Sequence, residues 1–221
     1  MNLILQALPD FFDGMKNTII YCVVSFSLAL LLGFGLAHAS NSPILWLNTP
    51  ARIYIEIVRS TPMIAQIFLI YYGLSLFLAI YGLASYDNAW TAGIATLALN
   101  YSAYEAEVFR AGFASVNKGQ TEAALSLGLT EQQSFFRVVF PQAIPLMIPP
   151  FANDLIYMLK DSAVVSVIGG YELTSKLDFW RNQHGSNLLP IYFLTIVFYL
   201  VLSLPTSYFA RSFERRLRAA M

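Results

Sequence analysis

From Ile19 to Ala37 the chain carries no Asp, Glu, Lys or Arg, and the same holds for Ser60 to Ala84, Asn88 to Tyr104 and Asn187 to Ala210. A helix rises ~1.5 Å per residue and bilayer hydrocarbon is ~30 Å thick, so about 20 apolar residues make one crossing. In lipid the backbone must satisfy its own hydrogen bonds, which makes helices of runs this long. The composition agrees. Hydrophobic residues make up 57% of the chain and charged residues 12%, against ~25% charged in an ordinary soluble domain. A water-soluble globule could not cover such a chain with polar surface, so the expectation is an all-α integral membrane protein.

A further region, Val138 to Tyr171, is apolar but holds Pro141, Pro145, Pro149, Pro150, Asp154, Lys160 and Asp161. It is expected to be the fourth span in chain order, entered through a bend where the prolines break the helix. The predicted spans are 18–39, 58–84, 88–110, 140–170 and 187–210, about five in one domain over 1–221, with a turn at Thr61-Pro62. An odd number puts the termini on opposite sides. With the N-terminus outside, nine Lys and Arg (Arg52, Arg59, Arg110, Lys118, Arg137, Arg211, Arg215, Arg216, Arg218) fall inside. Four (Lys16, Lys160, Lys176, Arg181) fall outside. The positive-inside rule selects that orientation, with a cytoplasmic C-terminus. Asp10, Asp13 and Lys16, without a cleavage pattern, speak against a signal peptide.

The same residues exclude other classes. Net charge is zero and basic residues cluster only at the C-terminal end, so nucleic acid is not an expected partner. Cys22 is the single cysteine, which rules out an intrachain disulfide and a thiolate zinc site. His38 and His184 stand far apart, and no metal site is expected. Ser25, Ala29, Gly33 and Ala37 recur every four residues, a small-residue stripe suited to close helix packing within the bundle.

Residues 111–137 form the longest connection between spans. Thr121 to Leu127 is strong helix material ending at Gly128, and Thr130-Glu131-Gln132-Gln133 reads as a capping box opening a second helix. On the predicted cytoplasmic side this makes a shaped surface for another protein. Glu122-Ala123-Ala124, Gly128 and Val138-Val139-Phe140-Pro141, at that spacing, resemble the EAA signature of membrane subunits of bacterial ABC importers. Glu56 to Pro62, Ala103 to Gly112, Lys118-Gly119-Gln120, Asn153 and Leu159 to Ser162 further resemble the polar amino acid permeases, the His/Glu/Gln/Arg/opine group. The similarity runs from about Gly14 to the C-terminus. Ser60 departs from it, where the group usually has glycine.

The resemblance implies an ABC importer type I permease fold in the bacterial cytoplasmic (inner) membrane, with a cytoplasmic coupling helix between the third and fourth spans. Glu122, Ala123, Ala124 and Gly128 would then dock two ATP-binding subunits. A second permease subunit, identical or homologous, and an extracytoplasmic amino-acid-binding protein would complete the assembly. The chain has no Gly-x-x-x-x-Gly-Lys-Ser/Thr loop. ATP and Mg are therefore expected on the partner subunits, and no cofactor or catalytic residue in this chain.

Ionisable groups within spans cost ~2.5–3.5 kcal/mol each on insertion scales and are candidates for function. Asn153, Tyr157 and Lys160 share one helical face at i, i+4 and i+7; Asp154 and Asp161 share the next. Lys160 would lie roughly 14 Å beyond the proline break, near mid-bilayer. Lys160 and Asp161 could meet the carboxylate and ammonium of an amino acid, helped by Asn153, Tyr157 and Ser162; structural pairing is the alternative. Asp154 is read as structural. Glu107 with Arg110, and Glu56 with Arg59, are i, i+3 pairs suited to helix-end ion pairs or gates. An ATP-independent carrier would call for an internal repeat, and none is found. A membrane anchor recruiting a cytoplasmic partner would leave Lys160 and Asp161 without a task. Acidic, amide, basic and opine substrates all stay open.

Overall fold

A computed structural model describes residues 2–83, 88–184 and 188–220, all helix and short connections. The predicted span limits at Ala84 and Asn187 lie outside the described residues. The chain opens with α1 (Asn2–Ser40), which reaches well beyond the apolar run at its start and carries Pro9 within it. After a short turn α2 (Leu45–Ser60) follows, and α3 (Met63–Phe68) passes through a π-helical turn, Leu69–Gly73, into α4 (Leu74–Ile80). Next come α5 (Ala89–Ser115), α6 (Lys118–Ser126) and α7 (Glu131–Ser134). A second π-helical turn, Phe135–Val139, leads into α8 (Phe140–Asp161), which ends in a 3-10 turn over Ser162–Ile168. The last elements are α9 (Leu173–His184) and α10 (Leu189–Ala220).

Four helical stretches among the described residues are long and apolar enough to cross a membrane: Leu3–Ser40, Met63–Ile80, Glu131–Ile168 and Leu189–Arg215. Leu31, Leu69, Leu76, Phe193 and Val201 point outward from them, as lipid-facing side chains do. α5 is long enough to cross but less apolar, because Asn100, Ser102 and Glu105 lie along it. It can carry these groups because it is the inner helix, with most of its middle buried. α1 packs directly against it through the small-residue stripe. Ser25, Ala29, Gly33 and Ala37 are all buried, and the Ser25 hydroxyl donates to the Ile94 carbonyl at 3.2 Å.

Three apolar clusters stack along the bundle. The middle one joins Tyr21, Ile67, Leu97, Tyr101, Met158 and Val165. Toward the coupling loop lie Ile55, Phe109, Ala143 and Met147. At the opposite end Phe11, Leu173, Trp180, Ile191 and Phe198 bind the start of α1 to α9 and α10.

The prolines do not break the fourth span. α8 runs without interruption through Pro145, Pro149 and Pro150, with Pro141 in its first turn, where a missing N–H costs nothing. The irregularity sits just before them, where the Phe140 N–H bonds to the Phe135 carbonyl five residues back. That π-helical turn absorbs one extra residue ahead of the proline run.

Candidate functional site

The site begins at the break between α2 and α3. Pro62 forces Thr61 out of the helical region (φ −116°, ψ 143°), which stops α2 and leaves carbonyls without partners. Gln66 answers them: its Nε2 donates to the Val58 carbonyl at 2.9 Å, the Thr61 carbonyl at 3.2 Å and the Thr61 hydroxyl at 2.8 Å. Its Oε1 accepts from Asn100 Nδ2 at 2.9 Å, so one glutamine fixes the break to the middle of α5. Opposite, α8 presents Asp154, Tyr157 and Asp161 at i, i+3 and i+7, a single helical face. The Tyr101 hydroxyl donates to Asp161 Oδ2 at 2.8 Å and ties that carboxylate to α5.

These three elements enclose a cavity of about 350 Å³ lined by Thr61, Pro62, Met63, Asn100, Tyr101, Tyr104, Asp154, Tyr157 and Asp161. A second cavity, about 500 Å³, lies toward the coupling loop and is lined in part by Arg59, Glu107, Met147 and Pro150. Tyr104 and Asp154 line both, so they form the seam between the two spaces. The Arg59 guanidinium lies over the Tyr104 ring, 5.5 Å from its centre.

The residues expected to meet substrate separate. Tyr157 and Asp161 line the cavity, whereas Lys160 turns its ammonium onto the Tyr157 ring at 4.7 Å and is not part of the lining. No ion pair joins Lys160 to Asp161 among the described residues. Asn153 is exposed on the neighbouring stripe, and Ser162 is fully buried with its hydroxyl donating to the Leu159 carbonyl at 2.9 Å. Of the two i, i+3 pairs, Glu107–Arg110 forms, with N–O distances of 2.5 and 3.2 Å. Glu56 and Arg59 form no ion pair among the described residues; Arg59 faces Tyr104. The sequence marks Thr61 only as part of a turn, and gives Asn100 and Tyr101 no role. A signal for α5 is present: Asn100, Tyr104 and Glu107 fall at i, i+4 and i+7, a polar stripe across the end of the uncharged run.

In the coupling loop Asn117 caps α6 by accepting from the Gly119 N–H at 2.9 Å. Gly128 takes the left-handed conformation (φ +82°), and its N–H and that of Leu129 bond to the Leu125 and Ala124 carbonyls. This is a complete Schellman stop. Thr130 and Gln133 then make the reciprocal capping box, at 3.1 and 3.2 Å. Glu122, Ala123 and Gly128 are exposed, Ala124 is buried against the loop, and Leu127 stands 84% exposed.

Residues 29–219 match the family described as binding-protein-dependent transport system inner membrane component. The octopine transport system permease protein OccM of Rhizobium radiobacter is 39% identical over 172 residues, covering 76% of this chain and 70% of its own. The L-cystine transport system permease protein TcyL of Bacillus subtilis (strain 168) is 34% identical, covering 99% of this chain and 91% of its own. The crystal structure of an amino acid ABC transporter with histidines superposes with a TM-score of 0.86 at 37% identity, over 96% of both chains. With the fold, the loop and nearly the whole length in agreement, this chain belongs to the family of inner membrane components of binding-protein-dependent transport systems.

Proposed function

We infer that the chain is the permease subunit of an ABC importer that moves polar amino acids across the inner membrane. The observation that carries this is the cavity at the Thr61-Pro62 break. It places two carboxylates, an amide and three tyrosines around a space of ligand size, between helices otherwise apolar to the outside. Names of relatives support the substrate class: octopine, L-cystine and histidine are all amino acids or their conjugates. In this reading Asp161, aimed by Tyr101, takes the substrate ammonium. Tyr157, Asn100 and Thr61 supply hydrogen bonds, and the seam at Tyr104 and Asp154 separates binding from release.

ATP and Mg would reside on two partner ATPases seated on α6, with Glu122, Ala123 and Leu127 as the contact surface and Gly128 setting its angle. A second permease subunit and an external binding protein complete the complex. The N-terminus lies outside and the C-terminus in the cytoplasm, which the Lys and Arg distribution supports. Cys22 is buried, so a cysteine introduced at Leu127 in the chain expressed without its partner ATPases should react with an impermeant maleimide only in inside-out vesicles. Labelling from the outside would reverse the orientation. The functional test is purification of the tagged chain from its native membrane in mild detergent, followed by an ATPase assay and amino acid uptake in proteoliposomes. Recovery of a Walker-type ATPase and ATP-dependent uptake is expected. A chain that carries no ATPase, under conditions in which other importers stay intact, would overturn the reading.

A further inference from the structure

Two further cavities adjoin at the end of α1 nearest the coupling loop, and they share no lining residue with those beside the Thr61-Pro62 break. One, about 310 Å³, is lined in part by Asn41, Ser42 and Phe113; the other, about 470 Å³, in part by Gln132 and Phe136. Phe34, His38 and Phe135 line both, so the two form one groove between α1 and the π-helical turn that leads into α8. Its aromatic walls hold one another: the Phe113 ring centre lies 6.3 Å from that of Phe34 and 5.1 Å from that of Phe135. Neither lining contains Asp, Glu, Lys or Arg, so a zwitterionic amino acid finds no fixed counter-charge there.

The groove lies where two spans reach the membrane surface. The first ends at Ser40, just past His38, and the one that includes α8 begins at Glu131, just before Gln132. Leu31, Gly35 and His38 fall at i, i+4 and i+7 on α1. Leu31 is exposed and the space beside Gly35 is open, so the lipid-facing stripe of α1 runs directly into the groove. Phe136, on the opposite wall, is 52% exposed. Polar groups gather at the surface end, where Asn41 and Ser42 follow α1. Arg52 donates from Nε to the Ser40 carbonyl at 3.1 Å, which brings its guanidinium to the same rim. An occupant must therefore be apolar along most of its length and carry an acceptor-rich, negative group at one end.

We propose that a phospholipid of the cytoplasmic leaflet occupies this groove. One acyl chain lies between Phe34, Phe113 and Phe135, and the phosphate sits at the rim within reach of His38 and Arg52. That the leaflet is the cytoplasmic one rests on the orientation inferred above; the groove itself does not. Such a lipid bridges the end of α1 to the turn from which the coupling loop departs, and fills space between two elements that the chain alone leaves apart.

Native mass spectrometry of the complex, purified in mild detergent and washed, tests this. The parent should retain one phospholipid per copy of this chain. Phe136→Asp, which sets a carboxylate against the acyl chain, should lower that occupancy at least ten-fold, and the mass of the intact complex in the same spectrum shows that the variant assembles. Phe193→Ala, on an outward face of α10, should leave occupancy unchanged. If the aspartate variant does not assemble, Arg52→Gln at the exposed rim takes its place and should lower occupancy at least three-fold. A parent that retains no phospholipid, or a protein segment in its place, would overturn the proposal. So would groove variants that retain as much lipid as the parent, or a Phe193→Ala complex that loses as much as they do, since the lipid would then belong to the general surface.

Discussion

At the scale of single residues, α1 and α5 approach each other closely at Gly33, and the missing side chain makes it possible. A Cβ there would stand 2.7 Å from the Cβ of Glu105 and 3.1 Å from both the Ala106 nitrogen and the Ser102 carbonyl oxygen. Two of those three atoms are backbone and cannot rotate away. Gly35, two residues on, has nothing within 4 Å of the same position. Gly33→Ala should therefore lower stability by ~1–3 kcal/mol, the usual cost of overpacking. Gly35→Ala should be neutral, or gain up to ~1 kcal/mol from helix propensity. Thermal unfolding of the two variants in detergent checks this, and equal midpoints would show that the α1–α5 contact relaxes freely. The stripe containing Gly33 was legible in the sequence; that it faces Glu105 was not. Glu105 is fully buried with neither carboxylate oxygen hydrogen-bonded. No periodicity reveals such a group, since its burial depends on which neighbour crosses α5 at that point.

At the scale of elements, legibility followed locality. The Gly128 stop and the Thr130–Gln133 capping box are decided by hydrogen bonds within a few residues, and both form as the sequence implies. The turn at Thr61-Pro62 is likewise set by one proline acting on its predecessor. The path through the proline run is not local in this sense. Whether a run of prolines breaks a helix or is carried by it depends on the helices packed around it, which no single residue type announces. The cavity face of α8 was misgrouped for a related reason. Lys160 and Asp161 are adjacent in sequence but ~100° apart around the helix, so only one of them lines the cavity. The coupling loop offers a clean test. Nothing in this chain lies within 4 Å of a Cβ at Gly128, so within the loop a substitution acts through φ. Gly128→Val, β-branched at φ +82°, should cut uptake at least ten-fold with membrane insertion retained, whereas Gly128→Asn should keep most of it. Uptake in proteoliposomes of matched protein content decides. Normal transport by the valine variant would remove the loop's angle from the mechanism.

At the scale of the whole molecule, the end of the bundle away from the coupling loop is joined by one buried polar node. Glu172, fully buried, caps α9 by accepting from the Thr174 and Ser175 N–H groups at 2.8 Å, and it also accepts from the Tyr199 hydroxyl of α10 at 3.0 Å. The first N–H of α9, on Leu173, is taken by Thr18 of α1 at 3.1 Å. Three helices distant in sequence thus meet at one carboxyl group. Burial pushes that carboxyl up from 4.5 to about 7, against the pull of its hydrogen-bond donors. A folded-state value above the unfolded one means that the fold binds this proton more tightly than the open chain does. Its contribution is complete below about pH 4.5 and is lost as the pH rises through about 7. The purified chain should accordingly lose thermal stability between pH 5 and 8 by an amount that Glu172→Gln removes, since glutamine keeps one acceptor oxygen for α9 and takes no charge. The comparison of variant with parent cancels the other titrating groups. Parallel pH profiles for the two proteins, or a parent that gains stability toward pH 8 relative to the variant, would mean that Glu172 is held as a carboxylate by its three donors, and that the node is an ionic cap rather than a protonated one.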